Sequence, residues 1–401
     1  MKHSMGRLAG LGLSIFGLAW AVVGPAPPKV TYHEQIAPIL ARHCVSCHQP
    51  ETAAPFSLIG YQNARRWSAM MVSVTESRRM PPWLPSGGPQ FHGAPTMTSQ
   101  DVNLLATWLD EGAPEGPMRP ARPVPTLPVW SLGPPDHIVR LPRSVKVAAE
   151  GQDEFVKLVI DPELTEEAWV RAVDVRPTDR TVVHHALIGY VDPDTPQLAT
   201  GLRNPDGYLG SWIPGKPPIA HDGVGVRLKQ GARLFVEIHY HKTGRAAEDQ
   251  SEIGLYFSKS PQRQMQSLFV SGTAWTIPAG AEKFTVRASH TLQQATTIHT
   301  LLPMMKHLGT RMTASAHLPD GETRLLLDIQ AWNMDWQMMY QLVHPITLPA
   351  ETVIHVTSTY DNSENNPRNP NSPPRDVRFG HQSDREVMTL VLGCYLEGQR
   401  R

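Results

Sequence analysis

Cys44-Val45-Ser46-Cys47-His48 sets two thiols three residues apart with an imidazole directly behind them. That spacing lets both sulfurs form thioethers to the vinyl groups of one porphyrin while the adjacent histidine reaches the iron from below. The segment therefore reads as a covalent haem c site, with Cys44 and Cys47 as attachment points and His48 as an axial ligand. The competing chemistries are a redox dithiol and a zinc site, and zinc needs more thiols than the one further cysteine, Cys394, supplies. In Arg78-Arg79-Met80-Pro81-Pro82-Trp83 a thioether sits on a proline-bounded turn. Met80 is thus either the sixth iron ligand opposite His48 or a methionine filling a core gap.

A second set of metal-binding side chains lies far down the chain. His184-His185 stands in Val182-Val183-His184-His185-Ala186-Leu187-Ile188, and His239 and His241 stand in Val236-Glu237-Ile238-His239-Tyr240-His241. Both runs are β-rich, and two strands of one sandwich bring such imidazoles together. Three neutral imidazoles make a good copper site, above all where a coordination position stays open; the alternative is a group of hydrogen-bonded structural histidines. Neighbours on a regular strand point to opposite faces, so His184 and His185 share a metal only if the backbone is kinked or the rings use different nitrogens.

The elements that carry these residues differ along the chain. Ile36, Ile39 and Leu40 lie on one helical face, which predicts a short helix over 32–43 leading into Cys44. Val102, Leu105, Ala106 and Leu109 predict a second amphipathic helix, stopped by Gly112 and Pro114. Prolines crowd 113–135, the pattern of an extended, semi-rigid spacer. Beyond it, short β-rich runs over 155–160, 168–175, 181–190, 233–240, 283–288, 324–329 and 352–360 are divided by Pro, Gly and Asp turns, which predicts sandwiches. The length suits two of them, with a boundary near Ser260-Pro261. Cys394 shares a strand face with Met388, Leu390, Leu392 and Leu396, which marks a buried, inert thiol.

Charge and the N-terminus narrow the setting. With 37 basic and 37 acidic residues the formal net charge is zero, so no nucleic-acid partner is indicated. Lys2 and Arg7 precede an apolar run from Leu8 to Val23 that contains Ala19-Trp20-Ala21, which predicts a signal peptide over 1–21 and export to the periplasm or beyond. The run is short for a spanning helix, so no membrane span is expected in the mature chain; an uncleaved anchor is the alternative. Haem attachment outside the cytoplasm agrees with export.

Segment 31–116 resembles a small cytochrome c domain, and its M-P-P-W stretch is similar to the methionine loop of that family. More widely, 31–397 resembles the copper type II, ascorbate-dependent monooxygenases, the family of peptidylglycine hydroxylating and dopamine β-monooxygenases, in a bacterial form fused behind a cytochrome c domain. The resemblance implies a small α-helical cytochrome c domain (31–116), a linker (117–135) and two all-β, jelly-roll-like sandwiches (136–260 and 261–397). It assigns the first copper to His184, His185 and His239, with His241 left as a supporting donor.

In the second sandwich Ile277-Pro278-Ala279-Gly280, Leu318-Pro319-Asp320-Gly321 and Trp332-Asn333-Met334-Asp335-Trp336-Gln337 are similar to stretches of the bacterial members, as is Tyr360-Asp361-Asn362-Ser363. The ligands depart from the family. Its P-H-M-H-L-x-G pattern falls on Pro303-Met304-Met305-Lys306-His307-Leu308-Gly309, so Met304 and Lys306 replace the histidines, and Val387 after Glu386 replaces the methionine. A slip of one residue offers Met305, His307 and Met388 instead, at the cost of bulges that re-aim them. In the active family, substrate is hydroxylated at the second copper with an electron from the first, and here the haem would stand in for ascorbate. The expectation is an exported haem–copper oxidoreductase that meets an electron donor or acceptor and a small-molecule or peptide substrate. The alternative is a non-catalytic, copper-binding or electron-transfer relative, because fold does not transfer chemistry.

Overall fold

The computed structural model describes residues 29–119, 128–195, 205–259, 261–382 and 384–398. The predicted signal peptide over 1–21, residues 120–127 of the proline-rich stretch and Ser260 at the expected boundary lie outside the described residues. No described helix is long and apolar enough to cross a membrane.

The fold departs from the expected small α-helical cytochrome c domain over 31–116. About 39% of the structure is strand and 12% helix, and the described helices are four short pieces: Ala37–His43, Tyr61–Arg66, Ser68–Glu76 and Ser99–Asp110. The helical periodicities were real but local. Ile36, Ile39, Leu40, Leu105 and Trp108 bury together in a small cluster, and Ser99–Asp110 begins with a Thr98/Asp101 capping box. Between the helices the chain is turn and extended structure, broken by Pro81, Pro82, Pro85 and Pro89. There it gives a strand away: Pro85–Gly87 pairs with Thr323–Ile329, and Leu84 and Phe91 bury in the C-terminal core. This segment is an appendage grown into the β structure rather than a sizeable helical domain.

The β structure is two stacked sandwiches sharing one long sheet. That sheet has eight strands, in the order Tyr340–Leu348, Thr296–Met304, Thr389–Leu396, Arg263–Ser271, Val224–Leu228, Ala168–Arg176, Glu252–Phe257 and His137–Arg140. Its two halves join where Arg263–Ser271 runs parallel to Val224–Leu228, with Met265 beside Val226. A four-stranded sheet, Glu154–Ile160, Arg233–Tyr240, Val183–Val191 and Gly207–Trp212, closes the first sandwich over Val226, Val236, Ile238 and Leu255. A five-stranded sheet, from Pro85–Gly87 to Phe284–Thr291, closes the second over Leu301, Met312, Leu327 and Val356.

The four-stranded sheet is buried on both faces. Along Arg233–Tyr240, Leu234, Val236, Ile238 and Tyr240 enter the first core. The alternating Phe235, Glu237 and His239 are also buried, on the opposite face. That face meets the second sandwich through a separate apolar patch of Leu187, Tyr208, Leu302 and Val391. This seam is where the histidines lie.

A candidate metal centre at the seam

His184 and His185 reach the same side of the sheet because the strand is bulged. Val183 pairs with Tyr240 and His185 with His239, so His184 is an extra residue opposite a single step of the partner strand. Without the bulge, strict alternation would send one ring into the apolar core. With it, Val183, Ala186 and Ile188 keep the core face while both imidazoles turn to the seam.

Three nitrogens converge there. His184 Nδ1 lies 3.3 Å from His185 Nδ1, and His239 Nδ1 lies 3.4 Å from the same atom. A metal bound to nitrogen at about 2.0 Å holds neighbouring ligand nitrogens about 3.3 to 3.5 Å apart in tetrahedral or trigonal geometry, which both separations from His185 match, and one ligand nitrogen from each ring lies within 4.8 Å of the others. Among the described residues these three form the one group of His, Cys, Asp or Glu side chains gathered closely enough to hold a metal. Burial, reinforced by the neighbouring imidazoles, lowers the pKa of His184 to about 3 and holds that of His185 well below its ordinary value. Both rings are therefore neutral and offer lone pairs.

Asp153 fixes the third ring. Its Oδ2 accepts from His239 Nε2 at 2.9 Å and from His241 Nδ1 at 3.0 Å, and its Oδ1 accepts from the Lys242 backbone N–H at 3.1 Å. An Nε2–H committed to a carboxylate leaves Nδ1 of His239 as the lone-pair atom, which faces His185. His241 therefore stands behind Asp153, supporting the cluster from outside. Phe155, cross-strand from His239, stacks on it at 4.3 Å between ring centroids. The second sandwich closes the other side: the Trp336 ring lies 4.7 Å from that of His184, on the short 3-10 turn Met334–Trp336. Sequence reasoning missed Asp153, Phe155 and Trp336. Their place beside His239 and His184 comes from strand pairing and the meeting of the two sandwiches, which leave no signal in the local sequence.

The opposite side of the seam carries different chemistry. Met304 packs with the Leu187–Val391 patch, and Lys306 is buried with its ammonium on the carbonyls of Gly380 and Gln382. Glu386 accepts from the backbone N–H groups of Lys306 and Leu308, each at 2.9 Å. Burial raises the pKa of Glu386 to about 7 and lowers that of Lys306 to about 8. Val387 is buried, and its carbonyl accepts from Tyr360 Oη at 2.8 Å. Met305 and Met388 lie inside the second apolar core, whereas His307 stands at the seam with its ring 6.5 Å from that of Phe155. Cys394 is buried in the same core, which pushes its thiol up to about 12.

At the N-terminal segment, Cys44 closes the helix Ala37–His43 and both motif cysteines are free thiols. His48 Nδ1 donates to the Phe56 carbonyl at 3.1 Å, which fixes the tautomer that leaves Nε2 as the metal-binding atom. Cys47 Sγ donates to the Pro214 carbonyl at 3.0 Å, so the motif abuts the first sandwich directly. Gly215, at φ +74°, makes room for it: a Cβ there would lie 2.8 Å from Cys47 Sγ. The donor set of two thiols and an oriented imidazole fits haem c. Met80 is half-buried just beyond the helix Ser68–Glu76, its N–H on the Val74 carbonyl.

No family model and no curated protein matches this chain. Among solved structures, a chain described as "Structure of infectious bursal disease virus Gx strain" is similar at 10% identity, covering 66% of this chain and 74% of that chain, with a TM-score of 0.19. A likeness that loose carries no argument about fold or activity.

Proposed function

We propose that this chain is an exported haem–copper redox protein, resembling the copper type II monooxygenases in design, in which electrons pass between haem c on Cys44, Cys47 and His48 and a copper on His184, His185 and His239. The observation that carries the reading is the convergence of three Nδ1 atoms at 3.3 and 3.4 Å on a bulged strand. Copper supplies a one-electron couple there, and imidazole donors suit it. Met80 is proposed as the second axial ligand of the iron.

The chain's own residues supply the rest. Asp153 orients His239, Phe155 and Trp336 exclude water from the rings, and the seam holds the cluster rigid. A short route along the chain joins the two sites, with one close contact where the Cys47 sulfur lies against the Pro214 carbonyl. Cys47 touches Pro214, two residues beyond Trp212, and Trp212 pairs across the sheet with Ala186, the neighbour of His185. Electron transfer is favoured over hydroxylation because the facing position in the second sandwich holds the Lys306 ammonium rather than a metal-ligand set. The proposed partner is a periplasmic electron donor or acceptor.

The test is rapid mixing of the haem-reduced, Cu(II)-loaded protein. Haem oxidation in step with copper reduction, lost in His185→Ala, is the expected result. Haem that extracts freely into acid acetone, or copper content unchanged by His185→Ala, would overturn the assignment. Oxygen-dependent hydroxylation of a family substrate would restore the enzyme reading.

A further inference from the structure

A second pair of histidines meets across the same seam, away from the three. His221 follows Ala220, which bridges to Ala172 in the first sandwich, and its backbone N–H donates to the Arg171 carbonyl. His299 lies in Thr296–Met304 of the second sandwich, at the bulge where pairing with Thr389–Leu396 steps from Ile298/Cys394 to Thr300/Gly393. The two rings are 6.5 Å apart between centroids, at 81° to one another.

Each ring has one buried nitrogen without a hydrogen-bond partner, Nδ1 of His221 and Nε2 of His299. His221 is only 6% exposed. An unpaired buried polar atom is costly, and two such atoms on imidazoles whose centroids stand 6.5 Å apart call for a shared occupant. Burial lowers the pKa of His221 to about 4 and lowers that of His299 as well, with Asp222 pulling His221 back up. Both rings are therefore neutral donors at neutral pH. Nearby, the Tyr395 ring lies 5.2 Å from that of His299, and Arg263 lies over the Tyr395 ring and pairs with Glu397.

We infer that His221 and His299 form a second metal seat, a two-imidazole site for a copper(I) ion that ties the two sandwiches together. A metal about 2.0 Å from a ring nitrogen lies about 3 Å from the ring centroid, so two rings on opposite sides of one ion stand roughly 6 Å apart, close to the observed separation. Zinc requires about four ligands, which the pair does not supply. Copper(I) accepts two, and a single positive charge is less costly to bury than a double one. The inference rests on these two residues and not on the trihistidine reading.

The test is anaerobic titration with Cu(I) against a chromophoric chelator such as bicinchoninate, on the full chain with Cys44 and Cys47 occupied by haem or alkylated. The wild type is expected to hold two equivalents, the His184→Ala/His239→Ala chain one, and that chain with His221→Gln or His299→Gln none. His307→Ala in the same background should leave the remaining equivalent in place. A wild type that holds one equivalent, lost with His185→Ala, sinks this seat and leaves the trihistidine site standing. One equivalent that survives His185→Ala and is lost with His299→Gln sinks the trihistidine site instead. In the His184→Ala/His239→Ala chain, copper that survives both His221→Gln and His299→Gln, or that leaves with His307→Ala, also overturns the seat, and either Gln variant alone decides this if the other fails to fold.

Discussion

Across the seam the two sandwiches face each other with opposite equipment. The first presents imidazoles whose nitrogens stand at metal-ligand spacing, while the second presents a buried ammonium and a buried carboxyl, each bonded to the backbone around it. The imidazoles of the first ride on strands that alternate between an apolar core and the seam, whereas Lys306 and Glu386 stand on the loops that follow Thr296–Met304 and precede Thr389–Leu396. What differs is which residues each route delivers. A cluster of lone pairs without protons invites a cation, and Lys306 fills the equivalent space with a cation the chain makes itself. Similar architecture therefore does not carry similar chemistry.

The sharpest way to break this contrast is His185→Ala. Its Nδ1 is the atom both other rings approach, so copper affinity should fall by about three orders of magnitude, roughly 4 kcal/mol, on the view that each ligand carries about a quarter to a third of a metal-site binding energy. Competition titration reads this directly. A drop of less than tenfold would mean that the three nitrogens do not share one ion.

Lys306→Met probes the facing side and should act on folding rather than on copper. Removing the ammonium strips the Gly380 and Gln382 carbonyls of its hydrogen bonds and takes a positive charge from the neighbourhood of Glu386, a loss of about 2 kcal/mol in denaturant unfolding. Copper per chain should stay as in the wild type. A fall in copper content would give Lys306 a part in metal binding and erase the contrast.

Asp153→Asn comes next. The amide keeps the shape but weakens the tie to His239 and His241, so copper affinity should drop about tenfold to a hundredfold, with an altered electron paramagnetic resonance signal for Cu(II). His241→Ala, which leaves the Asp153–His239 contact intact, should cost less. Equal losses in the two variants would move His241 into the ligand set.

The last probe is the pH dependence of Glu386, which touches stability and not copper. Its folded pKa is raised to about 7 from an ordinary value of 4.5, chiefly by burial. The folded state thus binds a proton that the unfolded chain releases earlier, and the stability this contributes, full below about 4.5, is lost as pH rises through 7. Glu386→Gln should flatten that part of the stability profile in urea unfolding measured between pH 4 and pH 8. An unchanged slope would assign the dependence to another group.

Some of this molecule is written along the chain. The β-rich runs over 155–160, 168–175, 233–240 and 352–360 appear as Glu154–Ile160, Ala168–Arg176, Arg233–Tyr240 and Val353–Tyr360, because strand alternation and the residues that break it are local properties. The local helices at Ala37–His43 and Ser99–Asp110 were equally legible. Their autonomy was not: helical periodicity over a dozen residues says nothing of what the intervening chain does, and here it pairs with Thr323–Ile329.

The sequence alone determined which residue types were available for chemistry and on which strands they ride. Tertiary structure decided where those strands meet and which way single residues turn. The bulge at His184 aims two adjacent imidazoles to one side, and the pairing of Glu154–Ile160 with Arg233–Tyr240 sets Asp153 behind His239. The parallel join at Met265 fuses the two sandwiches and brings His221 to His299. Register, bulges and long-range pairing depend on the packing of whole sheets, so residues more than 50 positions apart become neighbours with no mark in either local stretch.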